Sequence, residues 1–324
     1  MKKSILIILF TLIYQCSFAQ NYKTIDEKVK QYPIYKNLKT LNIRVNNDFT
    51  NDEEKARAFY TWIALHINYD LESINKPKPF NVIFYRTLKE YQQKKRAADM
   101  RTIWKIMREQ KAICGGFSLI FKELCDLSGI ESQVIGGITK VNANEINSRK
   151  NIKNHAWNAV KINNEWKLLD ITWSTGFQDQ NTKSWVKDFD DTYFFMKPEQ
   201  FLTSHFPEHS IWQLTVHKIN RTTFFSSPIF YPKYFESGFK ISPYQNGLIK
   251  VLHSNEKSIS ITFEKIVVTS KIHYKFSKDK YVKSLRLKQN ETNEYVATLK
   301  YNSKLENILT LYVGLEPILD FKIN

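Results

Sequence analysis

Three cysteines, nine glycines and nine prolines in 324 residues leave little material for a disulfide framework or for long flexible linkers. No segment repeats and none is of low complexity, which excludes solenoids, blades and arrays. A Gly-x-Ser-x-Gly elbow and a glycine-rich phosphate loop are both missing, so a serine hydrolase of that type and a P-loop nucleotide enzyme are excluded. Acidic residues are outnumbered, with 32 Asp and Glu against 48 Lys and Arg, for a formal charge of +16. Long apolar runs are scarce too, and the one from Ile5 to Tyr14 stands at the start of the chain.

That run follows Met1-Lys2-Lys3 and leads into Ser17-Phe18-Ala19-Gln20. A positive start, a short apolar stretch and small residues before a cut predict a secretory signal peptide over residues 1–19, cleaved after Ala19. The run is shorter than the ~20 residues of a permanent span. Lipidation at Cys16 is the alternative, and Ile13-Tyr14-Gln15 before it lacks the small residues that a lipoprotein signal uses. The expected mature protein is soluble, secreted or periplasmic, and has no transmembrane anchor once the leader is removed.

Loss of the leader leaves Cys114 and Cys125. Exported compartments favour pairing them, but Phe117, Ile120, Phe121, Leu124 and Leu127 follow helical spacing up to Gly129. Across such a helix the two cysteines are about 16 Å apart, whereas bridged Cα atoms lie within about 7 Å. Both thiols are therefore expected free. Cys125 reads as a buried core residue, and Cys114 sits at the helix start.

The basic balance favours anionic partners such as envelope polysaccharide, lipid headgroups or acidic proteins, and export argues against nucleic acid. The densest run, Lys271 to Lys288, holds seven Lys or Arg against Asp279. It also reads as a solvated strand face that keeps a β-domain soluble. Both readings stand.

Residues 20–49 read as an N-terminal arm with short irregular or helical pieces. A capping box, Thr50 to Glu53 or Asn51 to Glu54, opens a helix whose apolar face is Ala56, Phe59, Tyr60, Ile63 and Ile67. A basic helix is expected over about 89–110, then the Cys114 helix. Strands are expected over 133–140, 153–162 and 165–173. Alternating strands take over near His217, and a domain boundary is placed there, giving units at 50–217 and 218–324.

Asn163-Asn164 is a candidate two-residue hairpin turn, because Asn tolerates φ > 0. Closing there pairs Ile162 with Glu165, sets His155 opposite Thr172 and Asp170 opposite Trp157, and turns His155, Trp157, Asp170 and Thr172 to one face. His155 and Asp170 are then diagonal neighbours whose side chains can meet. A thiol, an imidazole and a carboxylate can be a nucleophile, its base and the group that orients the base. A helix N-terminus and a nearby imidazole lower a thiol pKa. Gly115 and Gly116 leave room for substrate, and their amides are candidate oxyanion donors. From spacing alone, a small buried Cys and a satisfied strand His remain an alternative.

At these residues the chain resembles the transglutaminase-like superfamily, in its kyphoscoliosis-peptidase-like branch. Lys55 to Asp70 is similar to the family's N-terminal helix motif, Lys111 to Gly129 to its nucleophile helix, and His155 to Thr175 to its His–Asp hairpin. Asp190 to His209, followed by Trp212-Gln213-Leu214, resembles the segment that closes the domain. The likeness spans about 50–217, with Lys76 to Met100 matching poorly as a candidate insertion. Ala112-Ile113 stands where the family more often has Gly-Val. The resemblance implies an α+β, papain-like, transglutaminase-like core, its nucleophile helix packed on an antiparallel sheet, followed by a smaller β-rich C-terminal domain. It implies Cys114 as nucleophile, His155 as general base and acid, and Asp170 as orienting carboxylate. The implied enzyme is a cysteine peptidase or acyltransferase acting on a protein or peptide substrate, without a cofactor.

Trp62, Trp104 and Gln110 are candidate side-chain oxyanion donors, each also readable as structural. His205 and His209 have metal-like spacing, but Pro207 lies between them without a nearby acidic or thiol set, so no metal is expected. Trp157, Trp166 and Trp173 read as hairpin and core packing. The competing function is a non-catalytic interaction or scaffold module of the cell envelope.

Overall fold

The computed structural model describes residues 21–76, 82–179, 181–251, 258–267, 271–301 and 307–324. The expected leader, with Cys16, lies outside the described residues. The chain divides into two compact units, Met1–Gly136 with His155–Met196, and Gly137–Asn154 with Lys197–Asn324. Boundaries at 49/50 and 217/218 do not coincide with this division, for two physical reasons. The arm is amphipathic and helical, and it buries Ile25, Val29, Leu41 and Val45 in the core of the first unit. Residues after 196 enter the second unit through the strand His205–Pro207, which pairs antiparallel with Gly137–Thr139.

The first unit begins with α1 (Asn21–Lys30), α2 (Leu38–Asp48) and α3 (Asp52–His66). Of the two capping boxes, Asn51 is the one used: its side chain accepts the Glu54 amide at 2.8 Å. Asp52, Glu53 and Glu54 then place negative charge on the positive end of the helix dipole. Helix α3 is buried from Ala56 to Ala64. Inside that run Arg57 grips Asp26 with two nitrogens, at 2.9 and 2.5 Å, and reaches Asp191 at 2.7 Å. Its guanidinium also lies 4.9 Å from the Tyr22 ring and 4.8 Å from Phe194, so the buried charge is both paired and faced by aromatic rings.

Strand β1 (Asn68–Tyr69), α4 (Leu71–Asn75), α5 (Leu88–Glu109) and β2 (Lys111–Ala112) lead to α6 (Cys114–Leu127). The two short strands pair in parallel, with Tyr69 beside Ala112. Helix α6 is capped by Ser128, and Gly129 follows at φ 73°, a conformation that favours glycine. It buries Phe117, Ile120, Phe121 and Leu124, each side chain contributing about 1.5–3 kcal/mol of transfer free energy.

Strands β3 (Ser132–Thr139), β4 (His155–Ile162) and β5 (Glu165–Leu169) follow, with β4 central. Asn158 on β4 donates its amide to Ser118 O of α6 at 3.0 Å, which fixes the helix on the sheet. The hairpin closes at Asn163 and Asn164, both at positive φ, and pairs Ile162 with Glu165 through to Asn158 with Leu169. The expected strand continuation to Trp173 does not occur. Asp170 instead caps a helical turn, α7 (Ile171–Ser174), accepting the Trp173 amide at 3.2 Å. Strands β6 (Gly176–Gln178) and β7 (Trp185–Lys187) form a small antiparallel ribbon.

The second unit is sheet-rich, and the whole chain is α+β. One sheet has the order Lys240–Ile241, Ser258–Lys265, Tyr295–Lys300, Lys288–Gln289. The other is built around Glu316–Ile323, Ile308–Val313 and Ile272–Phe276. Both turn alternate apolar residues into one core, including Ile259, Ile261 and Phe263 from the first and Leu309, Leu311 and Phe321 from the second. Lys140 is buried in this unit, and its ammonium donates to Phe224 O and Ser227 O at 2.8 Å, Ser227 Oγ at 2.7 Å and Pro228 O at 3.1 Å.

Candidate active site

Cys114 is the first residue of α6, where unpaired helix N–H groups favour negative charge. Neither it nor Cys125 is in a disulfide; Cys125 is fully buried, and burial pushes its thiol pKa far up. His155 opens β4 and forms a hydrogen bond with the Cys114 thiol. Its Nε2 lies 2.6 Å from Asp170 Oδ2, which leaves Nδ1 as the ring nitrogen for the sulfur. Asp170 is fully buried and held twice more: its amide donates to Tyr193 O at 3.1 Å, and its Oδ1 caps α7. The three residues expected from sequence are thus joined in one hydrogen-bonded chain within the first unit.

Burial alone would raise the Cys114 pKa, but the hydrogen bond and charge of His155, with the Ala156 backbone N–H, outweigh it and lower the thiol. Burial alone would lower the His155 pKa. The charge and hydrogen bond of Asp170 prevail, with help from Cys114, and raise it to about 10. Both directions favour a thiolate beside an imidazolium.

The family model described as the transglutaminase-like superfamily matches residues 39–171, a span that holds Cys114, His155 and Asp170. Within that span the chain is similar to the transglutaminase-like superfamily. It is also similar to kyphoscoliosis peptidases. The mouse protein (Mus musculus) is 29% identical over 194 residues, covering 60% of this chain and 26% of the relative. The human protein (Homo sapiens) is 29% identical over 196 residues, covering 60% and 27%. Cytokinesis protein 3 of Schizosaccharomyces pombe is 26% identical over 162 residues, covering 50% and 18%. The chain thus spans about a quarter or less of the length of these relatives. A solved TGase crystal structure aligns over 59% of this chain and 43% of its own at 19% identity and a TM-score of 0.29, too distant to bear on the fold.

Around this centre the structure adds Tyr69, which the sequence did not single out, and gives Trp157 and Trp173 a place against the imidazole. Tyr69 is set beside the cysteine by the β1–β2 pairing, where Asn68 and Asp70 amides donate to Gln110 O and Ala112 O, both at 2.8 Å. Burial, then the negative charges of Cys114 and Asp170, push its phenol pKa up to about 12. Its ring stacks on Trp185 of β7, with centroids 4.4 Å apart. Trp157 and Trp173 flank the imidazole at centroid distances of 6.2 and 5.9 Å. The one sequence signal for Tyr69 was its place beside Asp70, at the end of the motif in the 55–70 segment.

The two glycines after the cysteine separate in role. A Cβ at Gly115 would meet nothing within 4 Å, so this position is open as expected. A Cβ at Gly116 would come 2.7 Å from Ile106 Cδ1, and the Gly116 amide is already bonded to Ile113 O at 2.8 Å. Gly116 therefore serves the contact of α6 with α5, not substrate access. Of the side-chain oxyanion candidates, Trp62 is fully buried and donates to Pro33 O, and Gln110 donates to Met107 O. Trp104 is 68% exposed on α5. His205 is buried with its Nδ1 2.8 Å from Ser204 Oγ, whereas His209 is 75% exposed and 3.9 Å from Glu208. Among the described residues no helix is long and apolar enough to cross a membrane.

Proposed function

We propose that this protein is an exported, cysteine-dependent acyl-transfer enzyme that acts on peptide or glutamine-type amides. The observation that carries the reading is the hydrogen-bonded chain Cys114–His155–Asp170, with a lowered thiol and a raised imidazole. In the proposed reaction the Cys114 thiolate forms a bond to the amide carbonyl carbon, and the carbonyl π pair moves to oxygen. As the oxyanion collapses, the C–N bond breaks and the leaving amine takes its proton from the His155 imidazolium, leaving a thioester on Cys114. The acyl acceptor next bonds through its oxygen or nitrogen to the thioester carbon as the neutral imidazole takes its proton, and the C–S bond then breaks to release the Cys114 thiolate. Asp170 holds Nε2–H and so presents Nδ1 to the sulfur throughout.

Water as acceptor gives a peptidase or amidase, and a lysine-type amine gives a cross-link. We favour hydrolysis, on the similarity to kyphoscoliosis peptidases. Export rests on the leader-like residues 1–19, and it predicts a mature N-terminus at Gln20 by intact mass. The functional test is mass spectrometry of envelope proteins and peptides treated with wild type or Cys114→Ala. New peptide termini or deamidated glutamines that need Cys114 support hydrolysis, and isopeptide links support transamidation. Identical products from both proteins would refute enzymatic action.

A further inference from the structure

Two clefts in the second unit adjoin at Asn147, which lines both. The larger, about 830 Å³, is bounded by Ser148, Arg149, Arg221 and Thr222. The smaller, about 450 Å³, is bounded by Tyr244, Gln245, Asn246 and Lys250 over a floor of Leu248 and Ile249. Among the described residues no carboxylate side chain lines either cleft, although each carries cations. Among the described residues, none of Arg149, Arg221 and Lys250 has a salt-bridge partner, and all three are exposed. Tyr244 is 89% exposed, an unusual position for a large ring with nothing packed over it.

The floor between the clefts is built rigidly. The buried Lys140 ammonium gathers the carbonyls of Phe224, Ser227 and Pro228. Asn147 N donates to Phe225 O at 2.9 Å, and Gly247 N donates to Ser226 O at 2.7 Å. Gly247 approaches that turn so closely that a Cβ would lie 2.5 Å from Ser227 O. These bonds hold the segments 147–149, 220–228 and 244–250 in one fixed relation.

We propose that these clefts bind an acidic oligosaccharide, one whose sugars carry carboxylate or sulfate. An exposed tyrosine face suits the C–H face of a pyranose ring, which the negative face of its π-system attracts. The Asn147, Asn246 and Gln245 amides can donate to and accept from adjacent hydroxyls. Arg149 and Arg221 offer planar forks that match carboxylate or sulfate oxygens. The combined volume suits a ligand of several rings, since single small-molecule pockets run to roughly 300–1,000 Å³.

The test is calorimetric titration of the full mature chain with four probes of similar length: hexagalacturonate, a heparin-derived hexasaccharide, maltohexaose and hexaglutamate. Either acidic sugar is expected to bind at least roughly tenfold more tightly than maltohexaose and hexaglutamate, and the preferred one distinguishes carboxylate from sulfate. Arg149→Ala with Arg221→Ala should weaken it roughly tenfold or more, and Tyr244→Ala severalfold. Lys280→Ala, from the basic run outside the clefts, should change nothing. Circular dichroism confirms that each variant is folded. The proposal is overturned if neither acidic sugar binds, if hexaglutamate binds as well, or if Lys280→Ala costs as much as the arginine pair.

Discussion

At Asp170 one carboxylate performs two tasks, capping α7 with Oδ1 and holding His155 with Oδ2. Asparagine caps helices about as well as aspartate but carries no charge, so Asp170→Asn separates the tasks. It should leave the melting midpoint nearly unchanged while lowering turnover roughly 10²–10⁴-fold. The pH dependence follows from the two shifts. The thiolate–imidazolium pair forms above the lowered Cys114 pKa and is lost as His155 gives up its proton near pH 10. Rate against pH should therefore plateau through neutrality, with an alkaline limb near 10. An alkaline limb near 6.5, the ordinary histidine value, would contradict the role given to Asp170. The glycines offer a second residue-scale contrast. Gly116→Ala should destabilise the protein by about 1–3 kcal/mol through the Ile106 clash, whereas Gly115→Ala should unfold like wild type in denaturant and alter kinetics only.

At the scale of elements, the hairpin register was legible because two adjacent asparagines accept positive φ, and that fixes every partner from Ile162–Glu165 onward. Where the strand stops was not legible. Asp170-Ile171-Thr172-Trp173 has the β-branched and aromatic content of a strand, yet the Asp170 side chain takes the Trp173 amide and turns the backbone into a helix. The His155–Asp170 contact survives because the carboxylate leaves the sheet just as it reaches the imidazole. The Cys114 helix was legible from its apolar spacing and Gly129. The β1–β2 pairing that positions Tyr69 involves two residues per strand, too few to leave any period in the sequence. On α3, the buried Arg57 pairs with acids from distant segments that no local pattern reveals. Arg57→Met strands Asp26 in the interior and should cost about 3–5 kcal/mol in chemical denaturation.

Across the whole molecule, composition announced a basic chain and strand alternation after His217 a β-rich C-terminal part, but the division between units passes through Gly136, Asn154 and Met196, not through one point. Composition cannot show this, because the segment 137–154 is held by pairing with residues far along the chain. Lys140, on that segment, carries a testable share of the second unit's stability. Burial lowers its pKa to about 7, while four oxygen acceptors within 3.1 Å satisfy the ammonium. Lys140→Met removes the donor from three carbonyls and should destabilise the second unit by about 2–4 kcal/mol. Hydrogen exchange should show the loss in strands such as Ile308–Val313 and leave the Cys114 helix protected.

The most direct measurement is the rate of Cys114 alkylation by iodoacetamide between pH 4 and 10, in wild type and in His155→Ala. Cys125 is buried and should stay unmodified, as peptide mapping can verify. If Cys114 is an activated nucleophile, the wild-type rate titrates well below the ordinary thiol value of about 8.5 and the His155→Ala rate moves up toward it. A wild-type thiol that titrates near 8.5, unmoved by loss of His155, would contradict the proposed chemistry.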